Sequence, residues 1–109
     1  MISAEFSRRT DGSIGHFTIR GHAGYADEND IVCASVSAVS FAICEAIEKL
    51  AGVTVGYEQS DGYLYVTTPA DLSGGEAEKV ALLLETLCLF LKDLAQKYGD
   101  YVKVMESDE

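Results

Sequence analysis

Fourteen consecutive residues, Ile31 to Cys44, carry no charge, and the helical pattern continues to Ala51 with Glu45, Glu48 and Lys49 as its only clearly wet part. Asp30 stands before this run as a candidate N-cap and Gly52 behind it as a candidate stop, so the spacing predicts a helix over 31–51. Its first half is apolar or small on nearly every side, and the helix is therefore expected to be covered on two sides. The uncharged run falls short of the roughly 20 apolar residues that span a bilayer, and Ser35, Ser37 and Ser40 interrupt it, so no membrane crossing is expected.

The rest of the chain arranges itself around that helix. Ile2 to Ser7 and Ile14 to Arg20 alternate about Asp11-Gly12, which predicts an opening hairpin. Gly21 to Asp30 holds two glycines, two aspartates and an asparagine without a sustained period and reads as a loop of about ten residues. Val53 to Gln59 and Tyr63 to Thr68, rich in valine, tyrosine and threonine, flank the turn Ser60-Asp61-Gly62. Ser73 and Glu76 have the spacing of a capping box, and a second helix follows with one apolar stripe from Ala77 to Tyr98, stopped by Gly99. Leu82, Leu83, Leu89 and Phe90 lie off that stripe and are read as a dimer face. Tyr101 to Met105 is a last strand, and Glu106 to Glu109 is expected to be a frayed acidic tail. The order is ββαββαβ within one domain over 1–109, an α+β fold with a mostly antiparallel sheet and two helices.

Charge narrows the partners. Eighteen acidic against eight basic residues give a net charge of -10, a field that repels phosphate backbones and anionic membranes and attracts basic proteins. Direct nucleic-acid binding is not expected. The three cysteines, Cys33, Cys44 and Cys88, are odd in number and lack the close pairing of a zinc site, and Met1 opens no recognisable signal peptide. The expectation is a chain in a reducing cytoplasm with no metal and no cofactor.

Cys33 is the third residue after Asp30 and falls in the first helical turn, where backbone N–H groups lack intrahelical partners and the helix field favours a thiolate. Those donors, the N–H of Cys33 included, are expected to form part of an oxyanion hole. His22 lies at the end of the second strand, across the loop from Cys33, and has the near-neutral pKa of a general acid and base. Asp30 reads first as the cap and second as an orienting carboxylate. Ser37 lies one turn beyond Cys33, where its hydroxyl is read as bonding back to the backbone. Cys44 and Cys88 read as packing residues.

Gly21-His22-Ala23, followed by Asp30-Ile31-Val32-Cys33-Ala34 and by Ser37, resembles the signature of the ribosomal-processing cysteine protease family, and the resemblance covers essentially the whole chain. It implies a cytoplasmic, homodimeric endopeptidase that removes an N-terminal extension from a protein of the large ribosomal subunit. It implies His22 as general base, Cys33 as nucleophile, Asp30 and Ser37 in support, and Gly21 as a hinge for a loop that closes over substrate. Tyr25, within that loop, is then a candidate contact for substrate side chains. The competing readings are a non-catalytic factor that binds or assembles a ribosomal protein, and a thiol redox protein, which the lack of a nearby second cysteine disfavours.

Overall fold

In the computed structural model, which describes residues 1–109, the elements are β1 (Ile2–Arg8), β2 (Ile14–Arg20), α1 (Ile31–Lys49), β3 (Gly56–Ser60), β4 (Tyr63–Thr67), α2 (Gly74–Lys97) and β5 (Val102–Asp108). This is the α+β order read from the sequence. The strands form one sheet in the order β3-β4-β2-β1-β5. All neighbours are antiparallel except β5, which joins β1 in parallel.

Alternation decides which face of the sheet is dry. Ile2, Ala4 and Phe6 of β1, Phe17 and Ile19 of β2, Val66 of β4 and Val102 of β5 are buried with Val32, Val36, Ile43 and Ile47 of α1 and Val80, Leu84, Leu87 and Leu91 of α2. They form one core, and each fully buried side chain of this size contributes about 1.5–3 kcal/mol. Phe6 and Phe17 are register partners, and their rings stack with centroids 5.5 Å apart.

The expected cover on two sides of α1 is not found. Its core stripe is Val32, Val36, Ser40, Ile43 and Ile47, while Ala34, Ala38, Phe41 and Ala42 are exposed. Two layers suffice to build this core, so nothing in the chain is left to cover the outer side of the helix. At 19 residues α1 is long and apolar enough to cross a membrane by length and composition alone, which the uncharged run did not suggest. Its apolar stripe instead belongs to the core.

Three further expectations change. Ser73 is the N-cap of α2, but its side chain makes no capping hydrogen bond, so the capping box is not closed. Val53 and Val55 are buried but precede β3 rather than belonging to it. The acidic tail is not frayed: Glu106, Ser107 and Asp108 continue β5 opposite Phe6, Ser7 and Arg8.

Arg8 explains why the tail is held. Its guanidinium makes a two-pronged contact with Glu85 of α2 at 2.7 and 2.8 Å, reaches Glu106 of β5 at 2.7 and 2.9 Å, and donates to the Gly12 carbonyl at 2.8 Å. Lys92 reaches the other oxygen of Glu106 at 2.8 Å. One half-buried cation thus joins β1, α2 and β5, and such bidentate pairs are stronger than single surface contacts. Hydrogen bonds from Arg8 hold the Glu85 carboxyl below its ordinary value, and those from Lys92 and Arg8 do the same for Glu106. The stabilisation is present above the ordinary glutamate value of 4.5 and is lost as pH falls through the lowered folded values. Arg8→Ala is expected to cost about 1–2 kcal/mol at neutral pH and to flatten the fall in stability below that value. Denaturant unfolding at pH 7 and pH 3.5 checks both, and an unchanged acid slope in the variant refutes the assignment.

Candidate active site

At the end of β2, Gly21 takes φ +93° and turns the chain out of the sheet. A Cβ at this position would collide with the Met1 carbonyl oxygen, so the close approach of β1 requires glycine. The Gly21 N–H donates to the Gly62 carbonyl at 2.8 Å, which fixes the β3–β4 turn beside the next residue, His22. The imidazole Nε2 lies 3.6 Å from Asp61 Oδ2, and a Cβ on Gly62 would come within 2.9 Å of that nitrogen.

Asp30 organises the other side. Its Oδ1 accepts from the N–H groups of Val32 and Cys33, each at 3.0 Å, and so caps α1. Its Oδ2 accepts from Tyr25 at 3.0 Å and from Ala26 at 3.3 Å. These bonds, led by that from Cys33, hold the carboxyl below its ordinary value. Asp30 is therefore the cap the sequence predicts and also the tie that folds the loop back onto the helix. The carboxylate facing the imidazole is instead Asp61.

That folding delivers Ala23 to the sulfur. Cys33 is half-buried, and its Sγ accepts the Ala23 N–H at 3.1 Å. That bond ties the loop directly to the sulfur. The structure contains no hydrogen bond between the His22 imidazole and the Cys33 thiol. Both line one cleft of about 540 Å³ between α1 and the β3–β4 hairpin, together with Gly21, Ser37 and Asp61. Ser37 is exposed there and makes no backbone bond, whereas Ser35 bonds back to the Ile31 carbonyl at 2.6 Å.

The oxyanion donors expected at the helix start are already engaged. The N–H groups of Val32 and Cys33 go to Asp30 Oδ1, and that of Ala34 goes to the Asp30 carbonyl. Tyr25 is not on the cleft wall. Its ring meets Tyr98 and Tyr101 edge-on, with centroids 5.5 and 5.2 Å away, and so pins the loop to the end of α2 and the start of β5. Burial raises the Cys44 and Cys88 thiols, which fits their reading as packing residues.

Asp61 and Gly62 were legible only as a turn. What places them at His22 is the antiparallel pairing of Arg20 with Tyr63, a register that no local pattern announces.

Relatives share this arrangement of chain. Residues 1–103 match the family model described as cysteine protease Prp. The ribosomal processing cysteine protease Prp of Bacillus subtilis (strain 168) is 34% identical over 107 residues, covering 95% of this chain and 96% of the relative. The crystal structure of an essential ribosomal processing protease Prp from Staphylococcus aureus, in complex with a covalently linked product peptide, superposes with a TM-score of 0.87 at 25% identity, covering 97% of this chain and 99% of that one. A crystal structure from Streptococcus mutans superposes with a TM-score of 0.85 at 32% identity, covering 100% of this chain and 99% of that one. Sequence and fold agree over nearly the whole chain, and the chain belongs to the cysteine protease Prp family.

Proposed function

We propose that this cysteine protease is a cytoplasmic, homodimeric endopeptidase that removes the N-terminal extension of a basic protein of the large ribosomal subunit, with Cys33 as nucleophile and His22 as general acid and base. The observation that carries the reading is the Cys33 sulfur, held by the N–H of Ala23 on the lining of a cleft that the preceding residue, His22, also lines. The names of the relatives supply the ribosomal substrate class. The net charge of -10 suits a basic partner. Leu82 and Leu89 of α2, exposed to 70% and 62%, are the apolar surface a second copy would cover, while Leu83 and Phe90 already pack against the core.

In this mechanism the imidazole swings from Asp61 into the cleft and takes the thiol proton. The thiolate attacks the scissile carbonyl carbon, and the carbonyl π pair moves to oxygen. As the intermediate collapses, the C–N bond breaks, His22 protonates the leaving amine, and a thioester to Cys33 remains. Water, deprotonated by His22, attacks the thioester, and the sulfur leaves with the pair and recovers its proton. The Ala23 N–H loses its anionic acceptor when the sulfur is acylated and is then the nearest backbone donor for the developing oxyanion. Asp30 and Ser37 support the nucleophile, the first by fixing its turn and the second from the cleft wall. Gly21 is the hinge, and Tyr25 anchors the loop in the resting enzyme, so its edge-on contacts with Tyr98 and Tyr101 have to yield when the loop moves.

Wild type is expected to shorten an N-terminally extended large-subunit ribosomal protein, and Cys33→Ala to leave it whole, as read by intact mass. Cleavage by both, or binding without cleavage by both, refutes the peptidase assignment and in the second case favours the binding factor. Iodoacetamide near neutral pH is expected to label Cys33 well before Cys44 and Cys88, and equal slow labelling argues against thiolate stabilisation by Ala23.

Asp30→Asn keeps an acceptor for the helix cap but offers an amide to the Tyr25 and Ala26 donors. The expected result is a small loss of thermal stability, within about 1 kcal/mol, with kcat/KM down at least about tenfold because Ala23 is no longer held on the sulfur. Full activity in this variant refutes the loop-tie role.

A further inference from the structure

The cleft beside Cys33 continues. A second cavity of about 190 Å³ shares Phe41, Gln59 and Leu64 with the first, so the two form one groove between α1 and the inner face of the β3–β4 hairpin. Its helical wall is a single face of α1: Cys33, Ser37, Ser40, Phe41, Cys44 and Glu48 all line it at the three- and four-residue spacing of one side of a helix. At about 1.5 Å per residue, the wall runs roughly 16 Å from Cys33 to Cys44 and roughly 22 Å to Glu48. An extended chain, at about 3.3 Å per residue, covers those lengths in about five to seven residues.

Two features of the groove ask for a partner. Ser40 is 1% exposed, and its hydroxyl is the one buried side-chain polar atom in the molecule without a hydrogen bond. Helical serines usually return such a hydroxyl to a carbonyl one turn back, as Ser35 does here and as Thr86 does to Leu82. The oxygen is left without the hydrogen bond it would make in water, and Ser40 is among the residues that line the cleft. At the far end Glu45 and Glu48 stand over Val55 and Tyr57. Glu45 pairs with Lys49 at 3.0 Å, and Glu48 has no cation partner. An apolar floor under a carboxylate rim matches a side chain with an aliphatic stem and a cationic head.

We propose that an extended substrate segment leaves Cys33 along α1, exchanges a hydrogen bond with the Ser40 hydroxyl, and sets a lysine or arginine side chain into the Glu45–Glu48 cavity about five to seven residues from the scissile bond. The proposal rests on the peptidase reading above and specifies which substrates that site accepts. Ser40 is a positioning residue in it, since it holds the chain and not the reacting carbonyl. The two glutamates set specificity.

The test uses peptides spanning the cleaved junction of the ribosomal protein, with lysine or norleucine placed singly at each position about five to seven residues to either side of the scissile bond. At one of these positions wild type is expected to prefer lysine to norleucine by about tenfold in kcat/KM. The double variant Glu45→Gln/Glu48→Gln is expected to cleave the two peptides equally. Ser40→Ala removes an unpaired buried hydroxyl, so its Tm is expected to rise while kcat/KM falls by about tenfold. A purely structural serine would give the raised Tm with unchanged kcat/KM, and that result, or equal cleavage of all lysine and norleucine peptides by wild type, overturns the proposal and leaves the peptidase reading standing. Failure of wild type to cut any peptide or the intact protein overturns both.

Discussion

The Asp30 carboxylate is the joint on which the site depends. Four backbone N–H groups converge on its two oxygens, two from the first turn of α1 and two from the loop. Local competition explains why it can do both: a short acidic side chain at a helix start satisfies donors that helical geometry leaves free. The same bonds change the electrostatics of Cys33. A helix terminus offers an anion about 0.3–1 kcal/mol at an exposed position, but here a carboxylate already occupies the terminus and repels a second negative charge. A hydrogen bond to a charged group contributes about 1.5–3 kcal/mol, so an anion formed at the Cys33 sulfur would draw more from the Ala23 N–H than from the helix field. The loop, more than the helix, is what touches the sulfur.

The sheet supplies the opposite half. Because β2 is flanked by both β1 and β4, its last residues are held from two sides. Gly21 is crowded by the Met1 carbonyl and bonded to Gly62, and Gly62 in turn lies against the His22 ring. Both glycines have positive φ, so a side chain at either position would strain the backbone as well as close the space. The imidazole therefore sits beside the hairpin turn on the lining of the cleft. It remains 63% exposed.

Local signals were strong enough to reveal the element order, the loop and the Cys33 turn. Asp30 before an uncharged run can hardly be anything but a cap, and Ser60-Asp61-Gly62 between two valine- and tyrosine-rich runs can hardly be anything but a turn. Part of what escaped depended on contacts distant in sequence. The tail reads as a solvated acidic end until Arg8 is known to lie across from Glu106. Ser73 and Glu76 have the spacing of a capping box, but Gly74, next to the cap, takes φ +60°, and the cap side chain forms no bond. The donors of the Cys33 turn look free in sequence because a side-chain acceptor three residues earlier can be used for them or for the loop, and only the fold shows it used for both. Tyr25 sits in the right loop for a substrate contact, but the approach of α2 and β5 offers its ring two tyrosines first.

Charge distribution follows from the same economy of cations. Of the eight basic residues, Arg8 and Lys92 are spent on Glu85 and Glu106, and Lys49 on Glu45. Arg9 donates to carbonyls of Thr68 and Pro69, and Arg20 lies 4.9 Å over the Tyr63 ring. Most positive charge is thus committed to holding elements together, while much of the acidic excess, Asp61 and Glu48 among it, stands unpaired with any lysine or arginine at the groove. The field at the cleft is therefore more one-sided than the net charge alone implies. A basic chain approaching it is drawn to the same edge where the sulfur waits, and ionic screening over about 8–10 Å at physiological salt leaves that attraction effective only in the last stage of approach. A basic peptide would thus be oriented by Glu45 and Glu48 at the far end of α1, more than captured by them from a distance.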